Sequence, residues 1–251
     1  MLVMGILNVT PDSFADGVKH NDFESAVARG LEMIAEGVDI IDIGGESTRP
    51  GADRVSEEEE IARTIPVITE LAKHGVKISI DTMRASTAKA AIDAGASIIN
   101  DVSGGLADPL MLQTAAALKV PYIAMHWRGQ SKDMNSMAIY GDVVSDVISE
   151  LQERVDAALD AGITAENLII DPGLGFAKDA DHNWAIIDAI DQFVALGYPV
   201  LVGASRKRFL GGDTPDEREQ ATIDLTKRLA PTGVWAVRVH SVKPHKEVLA
   251  V

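Results

Sequence analysis

The residues able to recognise a charged or hydrogen-bonding ligand fall at regular stops along this chain. They are Asn8, Asp42, Asp81, Asn100-Asp101, His126, Asp171, Ser205-Arg-Lys207 and the pair Arg238 and His240. Asp81, Asn100 and Asp171 with Lys207 offer carboxylates, an amide and a cation. That set suits a flat heterocycle with amino and ring N–H donors, of the pterin or guanine kind. Phe176 is placed to flank such a ring. Asn8, Thr48, Arg49, Arg238 and His240 form a second, donor-rich group. An arginine can bind two oxygens of one anion at once, so this group suits a phosphate or diphosphate. The densest positive charge, Arg206-Lys-Arg208, stands in a chain of net charge −15. Three cations where a strand gives way to a loop reverse the global field and suit an anionic or electron-rich ligand.

The elements that must position these groups alternate from end to end. Apolar, β-branched-rich stretches occur at 3–9, 39–44, 77–81, 97–102, 121–126, 168–171, 199–203 and 234–240. They read as strands covered on both faces. Amphipathic stretches lie between them, among them 23–36, 57–73, 85–94, 143–161 and 182–196, and Gly37, Gly75, Gly95, Gly162 and Gly197 follow as stop signals. Eight βα units without a linker predict a single-domain (β/α)8 TIM barrel over residues 1–251. A doubly wound open sheet is the alternative. In a barrel the chemistry sits at the C-terminal mouth, where every strand here delivers a polar side chain. Burying so many without partners costs on the order of several kcal/mol each, so one shared polar pocket is the economical reading. After His240 only residues 241–251 remain, so the last helix is short or truncated and the barrel is expected to close less firmly there or to be closed by a partner.

Taken singly, several of these residues have duller readings. Asp81 could cap the helix after it. Asp171-Pro-Gly is turn chemistry in any case. His126, before Trp127, reads as a satisfied half-buried histidine, and Arg238 as a lumen ion pair with one of the acids. The Glu57–Glu60 run reads as the first turn of a helix capped by Ser56, where negative charge favours the dipole, and not as a metal site. A zinc site is not expected. A Mg²⁺ held mainly by the ligand's phosphates is compatible. There is no cysteine, hence no disulfide or thiolate chemistry, and the acidic balance argues against nucleic acid. The N-terminal residues lack the features of a signal peptide and no apolar run is long enough to span a bilayer, so a cytoplasmic protein is expected.

Seven motifs in order resemble the dihydropteroate synthase family. They are Met4-Gly-Ile-Leu-Asn-Val-Thr-Pro-Asp-Ser-Phe14 with Asp16-Gly17, Asp42-Ile-Gly-Gly-Glu-Ser-Thr-Arg-Pro-Gly51, Ser79-Ile-Asp-Thr82, Ile99-Asn-Asp-Val102, Asp171-Pro-Gly-Leu-Gly-Phe176, Ser205-Arg-Lys-Arg-Phe-Leu-Gly211 and Arg238-Val-His240. The resemblance implies a barrel transferase of folate biosynthesis. It would join 4-aminobenzoate to 6-hydroxymethyl-7,8-dihydropterin diphosphate and release pyrophosphate. It further implies that Asp81, Asn100, Asp171, Phe176, Gly203 and Lys207 hold the pterin, and that Asn8, Thr48, Arg49, Arg238 and His240 take the diphosphate. Asn8 would help bind Mg²⁺, and Phe14, Pro50 and Ser205 would border the aminobenzoate once loops 8–17 and 46–54 close as lids. Asp81, Asp171, Lys207, Arg238 and His240 would act in catalysis. A homodimer and sensitivity to sulfonamides are family properties, the first resting on outer helices near the shortened C-terminus and the second on loop packing near Phe14, Pro50 and Ser205. The chain departs from the family in a more polar 221–231 segment and in Ser241, where the family often has Asp. Two rivals stand beside this reading: a methyltetrahydrofolate-type methyltransferase barrel, which has no leaving diphosphate, and a degenerate barrel that binds pterin without turnover.

Overall fold

Isoleucine and valine dominate the eight apolar stretches, and each forms a parallel strand in the computed structural model, which describes residues 1–10, 21–46, 54–129 and 134–250. The strands are β1 (Leu2–Asn8), β2 (Ile40–Gly44), β3 (Lys77–Asp81), β4 (Ile98–Asp101), β5 (Tyr122–Met125), β6 (Leu168–Asp171), β7 (Leu201–Val202) and β8 (Ala236–Val239). They pair in the order β6-β5-β4-β3-β2-β1-β8-β7. A single bridge, Ile170 to Val200, joins the two ends of that ladder, so the sheet closes and the open-sheet alternative falls.

Closure is thin at this β6/β7 seam and not, as expected, beside the last helix. β8 pairs with β1 from Leu2↔Ala236 to Gly5↔Val239. β7 has only two residues, and Pro199 before it brings a carbonyl to Ile170 N–H (3.0 Å) but has no N–H to give back.

Helices cover the outside: α1 (Asn21–Ala35), α2 (Glu57–Ala72), α3 (Ala85–Asp93), α4 (Met111–Leu118), α5 (Val143–Asp160), α6 (Ala180–Asp188), α7 (Ile190–Val194), α8 (Glu217–Leu229) and α9 (Lys243–Leu249). Ser56 caps α2 as expected, accepting from Glu59 N–H at 3.2 Å. The single helix expected at 182–196 is two, broken at Ala189. Ile186, Ile187, Ile190 and Phe193 are nevertheless all buried, so the break serves the fit to the core and not a change of face. The short α9 is held by more than its length suggests: His245 is fully buried and bonded to Thr226 (2.8 Å), and Lys246 reaches Asp39 (3.0 Å). Among the described residues no helix is long and apolar enough to cross a membrane.

Strand alternation sorts the side chains. One parity, including Ile41, Ile43, Ile78, Ile80, Ile99, Ile170 and Val237, packs beneath the helices. The other fills the barrel floor with Met4, Ile40, Ile98, Ile123, Ile169, Leu201 and Ala236. Two residues further along those same strands stand Ile6, Asp42, Asn100, Met125, Asp171, Gly203 and Arg238. The floor is apolar, and the layer above it carries the polar side chains.

Candidate active site

Register puts the polar layer at one height. Asn8 pairs with Gly44, Gly44 with Asp81 and Asp81 with Asn100 across four neighbouring strands, while Met125 pairs with Asp171. Arg238 links the group. Its Nε donates to Asp42 Oδ2 (2.6 Å) and its terminal nitrogen to Asp81 Oδ2 (2.6 Å). Asn100 Nδ2 donates to the same Asp42 oxygen at 3.1 Å. Arg238 is thus a lumen ion pair with two acids, as its plainer reading held, and stands among the carboxylates. Asp81 does not cap the following helix; the first N–H of α3, from Ala85, goes to Asp108 at 2.8 Å.

Asp42 has a larger place than its sequence position suggested. It is fully buried and orients both Arg238 and Asn100, although neither subsite expected from the sequence includes it. The signal was available: Asp42 follows inward-facing Ile40 by two. Its Oδ1 and the hydroxyl of its register partner Ser79 are buried without hydrogen-bond partners. Unsatisfied polar atoms of this kind cost about 1–3 kcal/mol and are concentrated where a site must stay polar.

Burial pushes Asp81 above the usual carboxylate range; Arg238 opposes this, and Asp42, Glu60 and Asp101 add to it. Asp171 is raised by burial, against the Gly173 N–H bond and the charges of Lys207, Arg238 and Lys178. Lys207 is drawn down to about 8 by burial, with Asp171 pulling it back up. Burial also opposes the charge of Arg238, but Asp42 and Asp81 outweigh it and hold the guanidinium above its ordinary value.

The three cations after β7 part company. Arg206, at φ 58°, turns outward to Glu219 (2.6 Å) and Ser241 (2.8 Å). Arg208 is exposed. Lys207 faces the site, bonded to Leu174 O, with its ammonium 4.7 Å from the centre of the Phe176 ring. The expected triple-cation cluster is therefore one cation, because a left-handed residue at 206 sends its neighbours in different directions. Gly203 sits between Asp171 and Arg238: a methyl group there would lie 3.8 Å from one and 3.9 Å from the other. Ser205 Oγ is 2.9 Å from His240 Nδ1 and accepts the His240 backbone N–H at 3.2 Å. Serine and histidine from the two expected subsites are thus brought together.

The turn after β6, residues 173–176, is pinned throughout. Gly173 N–H donates to Asp171 Oδ1 (2.7 Å) and Gly175 N–H to Asn183 Oδ1 (2.6 Å). Buried Lys178 donates to Gly173 O and Phe176 O, both at 3.1 Å, and approaches His126 Nδ1 at 2.8 Å. His126 is satisfied as expected but wholly buried, with Nε2 2.9 Å from Glu150. Lys178, Asn183 and Glu150 were not singled out from sequence. On the β2 side, Glu46 accepts from Arg54 (3.0 Å), Val55 N–H (3.2 Å) and Arg84 (3.0 Å), and Arg84 also pairs with buried Glu60. Glu60 therefore belongs to an ion-pair web as well as to the first turn of α2. Phe14, Thr48, Arg49 and Pro50 lie outside the described residues. Asn8 stands half-buried at the end of β1. Among the described residues no three His, Asp or Glu side chains are grouped to hold a metal.

This polar mouth on an apolar floor can hold a ring rich in N–H donors against carboxylates and can stabilise positive charge beside them. Comparisons with known proteins identify the family. The profile of the pterin binding enzyme family matches residues 4–240. The dihydropteroate synthase of Mycobacterium leprae is 48% identical over 259 residues, covering 99% of this chain and 91% of that protein. The structure of Xanthomonas albilineans dihydropteroate synthase with 4-aminobenzoic acid superposes with a TM-score of 0.93 at 43% identity, covering 99% of this chain and 90% of that one. The same enzyme in complex with 7,8-dihydropteroate gives 0.90 at 40% identity, with 99% and 91% covered.

Proposed function

The chain belongs to the pterin binding enzymes and, within them, to the dihydropteroate synthases, and from that premise we propose how its own residues divide the work. The reaction is a transfer: 4-aminobenzoate displaces diphosphate from 6-hydroxymethyl-7,8-dihydropterin diphosphate, giving 7,8-dihydropteroate and pyrophosphate. Asp81, Asn100 and Asp171 receive the N–H donors of the pterin. Lys207 and Phe176 border the ring, and Gly203 leaves room beside Asp171. Asn8, Thr48, Arg49, Arg238 and His240 take the diphosphate, and Phe14, Pro50 and Ser205 the aminobenzoate. The observation that carries this division is the Asp42–Arg238–Asp81 web one layer above an apolar floor.

The C–O bond to the diphosphate breaks as positive charge grows on the methylene carbon. Asp81 and Asp171 stabilise that charge in a site shielded from water. Arg238 and His240 meet the negative charge leaving with the diphosphate. The neutral amine forms the new C–N bond and then loses its proton, so no strong base is needed at the nitrogen. An amide oxygen is a hard donor of the kind Mg²⁺ accepts, so Asn8 suits a Mg²⁺ held chiefly by the diphosphate, which would supply further charge neutralisation. The ring of 4-aminobenzoate is mimicked by sulfonamides, which are expected to compete beside Ser205. A cytoplasmic homodimer completes the reading.

Pyrophosphate release measured with the pterin diphosphate and Mg²⁺, with and without 4-aminobenzoate, tests it. Release that requires the amine and yields dihydropteroate is expected. Tight pterin binding without release would overturn the catalytic reading in favour of a binding barrel.

A further inference from the structure

Lys178 and His126 lie behind the pocket wall, and none of the roles above uses them. Both are buried: Lys178 is 9% exposed and His126 1%. Among the described residues Lys178 Nζ has three neighbours at bonding distance, His126 Nδ1 (2.8 Å), Gly173 O (3.1 Å) and Phe176 O (3.1 Å). Two are carbonyl oxygens that can only accept. An ammonium has three N–H groups and no lone pair, so it satisfies all three neighbours only if the imidazole nitrogen accepts as well. The imidazole proton must then sit on Nε2, where the Glu150 carboxylate stands 2.9 Å away to receive it. Glu150 is also the partner of Arg128. Each link thus fixes the next, from the outer edge at Glu150 inward to the two ends of the 173–176 turn.

For His126 and Glu150 the electrostatics agree with this count. Burial, and after it the nearby Lys178 charge, draw His126 down to about 4 against the pull of Glu150, so the ring stays neutral. Bonds from His126 and then Arg128 hold Glu150 down to about 2. Burial draws Lys178 down to about 7 while Asp171 pulls it up. A cation carried into the interior at that cost, to hold two backbone carbonyls, points to a turn whose exact position matters.

What the turn positions is the pterin side of the pocket. Gly173 N–H fixes Asp171 Oδ1 at 2.7 Å, leaving Oδ2 on the side of Gly203. Phe176 places its ring under Lys207. We propose that Lys178, ordered by His126 and Glu150, is a positioning residue that sets the 173–176 turn so that Asp171 and Phe176 meet the pterin ring.

The inference rests on the synthase reading and is tested with Lys178→Met, which keeps an unbranched apolar side chain one atom shorter and removes every donor. Affinity for the pterin diphosphate should weaken at least about tenfold, with the KM for 4-aminobenzoate at saturating pterin within about twofold of wild type. A purely structural role would move both substrates together, in step with the folded fraction followed by circular dichroism. Should Lys178→Met fail to fold, Glu150→Gln decides. It leaves every acceptor of the turn in place, but it removes the charge that holds the imidazole proton on Nε2. Pterin affinity should then fall about threefold or more. Pterin affinity within about twofold of wild type in Glu150→Gln, or equal losses for both substrates in either variant, overturns the proposal. Wild-type protein that neither binds the pterin nor releases pyrophosphate would instead sink the synthase reading, so the two failures are distinct.

Discussion

Asp81 and Arg238 are 157 positions apart in sequence and 2.6 Å apart in the barrel, and what each does depends on the other. Arg238 keeps Asp42 as a second partner, so replacing Asp81 by Asn leaves no unpaired buried cation. Asp81→Asn should therefore change the unfolding free energy by only about 1 kcal/mol. It should cut kcat about 100-fold, some 2.7 kcal/mol of transition-state stabilisation. Denaturant unfolding and steady-state rates measure the two, and comparable losses would remove Asp81 from the chemistry. pH separates them further. Because Asp81 is held above the ordinary carboxylate range, the folded protein keeps a proton that the unfolded chain releases. Its stabilising contribution is present at acid pH and is lost as pH rises through the raised value. The proposed mechanism needs the ionised form, so kcat/KM should climb across the window in which this contribution declines. Glu150 works in the opposite sense and lower down: held to about 2, it contributes stability above the normal glutamate range that disappears as pH falls through about 2. The difference between wild type and Asp81→Asn isolates the Asp81 window, and identical pH profiles would refute its assignment.

At the scale of the element, the 173–176 turn separates what packing forbids from what it tolerates. Gly173 has φ 68°, and a Cβ there would sit 2.4 Å from the His126 carbonyl oxygen, a backbone atom that cannot step aside. Gly173→Ala should cost on the order of 3 kcal/mol or more in thermal or denaturant unfolding. Gly175 has φ 77°, but its nearest obstacle is Lys207 Cδ at 2.8 Å, on a flexible side chain. Gly175→Ala should cost about 1 kcal/mol of stability, and it should weaken pterin binding about tenfold by displacing Lys207. A reversed order of stabilities would contradict the packing described for this turn. The strands, the Ser56 cap and the stop glycines were legible in sequence because they follow from local periodicity and turn chemistry: Gly37, Gly75, Gly95, Gly162 and Gly197 all take positive φ. The polar layer, Asp42 included, was legible for the same reason, and the inward aim of Asp42 could have been read from its two-residue step after Ile40. The bond between His126 and Lys178 spans 52 positions, and nothing local to either residue announces it. Nor does local pattern reveal that Arg206 would adopt a left-handed backbone and turn its charge away from the site.

At the scale of the molecule, the barrel is closed unevenly, and the proposed substrate site straddles the weak place. β1 to β6 and β8 share ladders of three or more paired residues with at least one neighbour, whereas β6 meets β7 through one bridge with Ile170 N–H on Pro199 O. Asp171 ends β6 on one side of that seam, and Gly203 and Lys207 follow β7 on the other. A pterin held by Asp171 and Lys207 together would join the two edges through itself. Hydrogen exchange should therefore be fastest, among the strand amides, at Ile170 and in 200–202, where few backbone bonds must open. Saturation with the pterin diphosphate stabilises every globally protected amide by the same mass-action amount, about 2.7 kcal/mol at one hundred times Kd. At the seam the ligand also suppresses local opening, so protection of Ile170 and of 200–202 should grow more than that of amides in β2 and β3 that open locally. Exchange followed by mass spectrometry with and without ligand reads this directly. Equal protection everywhere, or a seam no faster than the rest in the free protein, would mean that the barrel closes without help and that the position of the site beside its thinnest join has no consequence for stability.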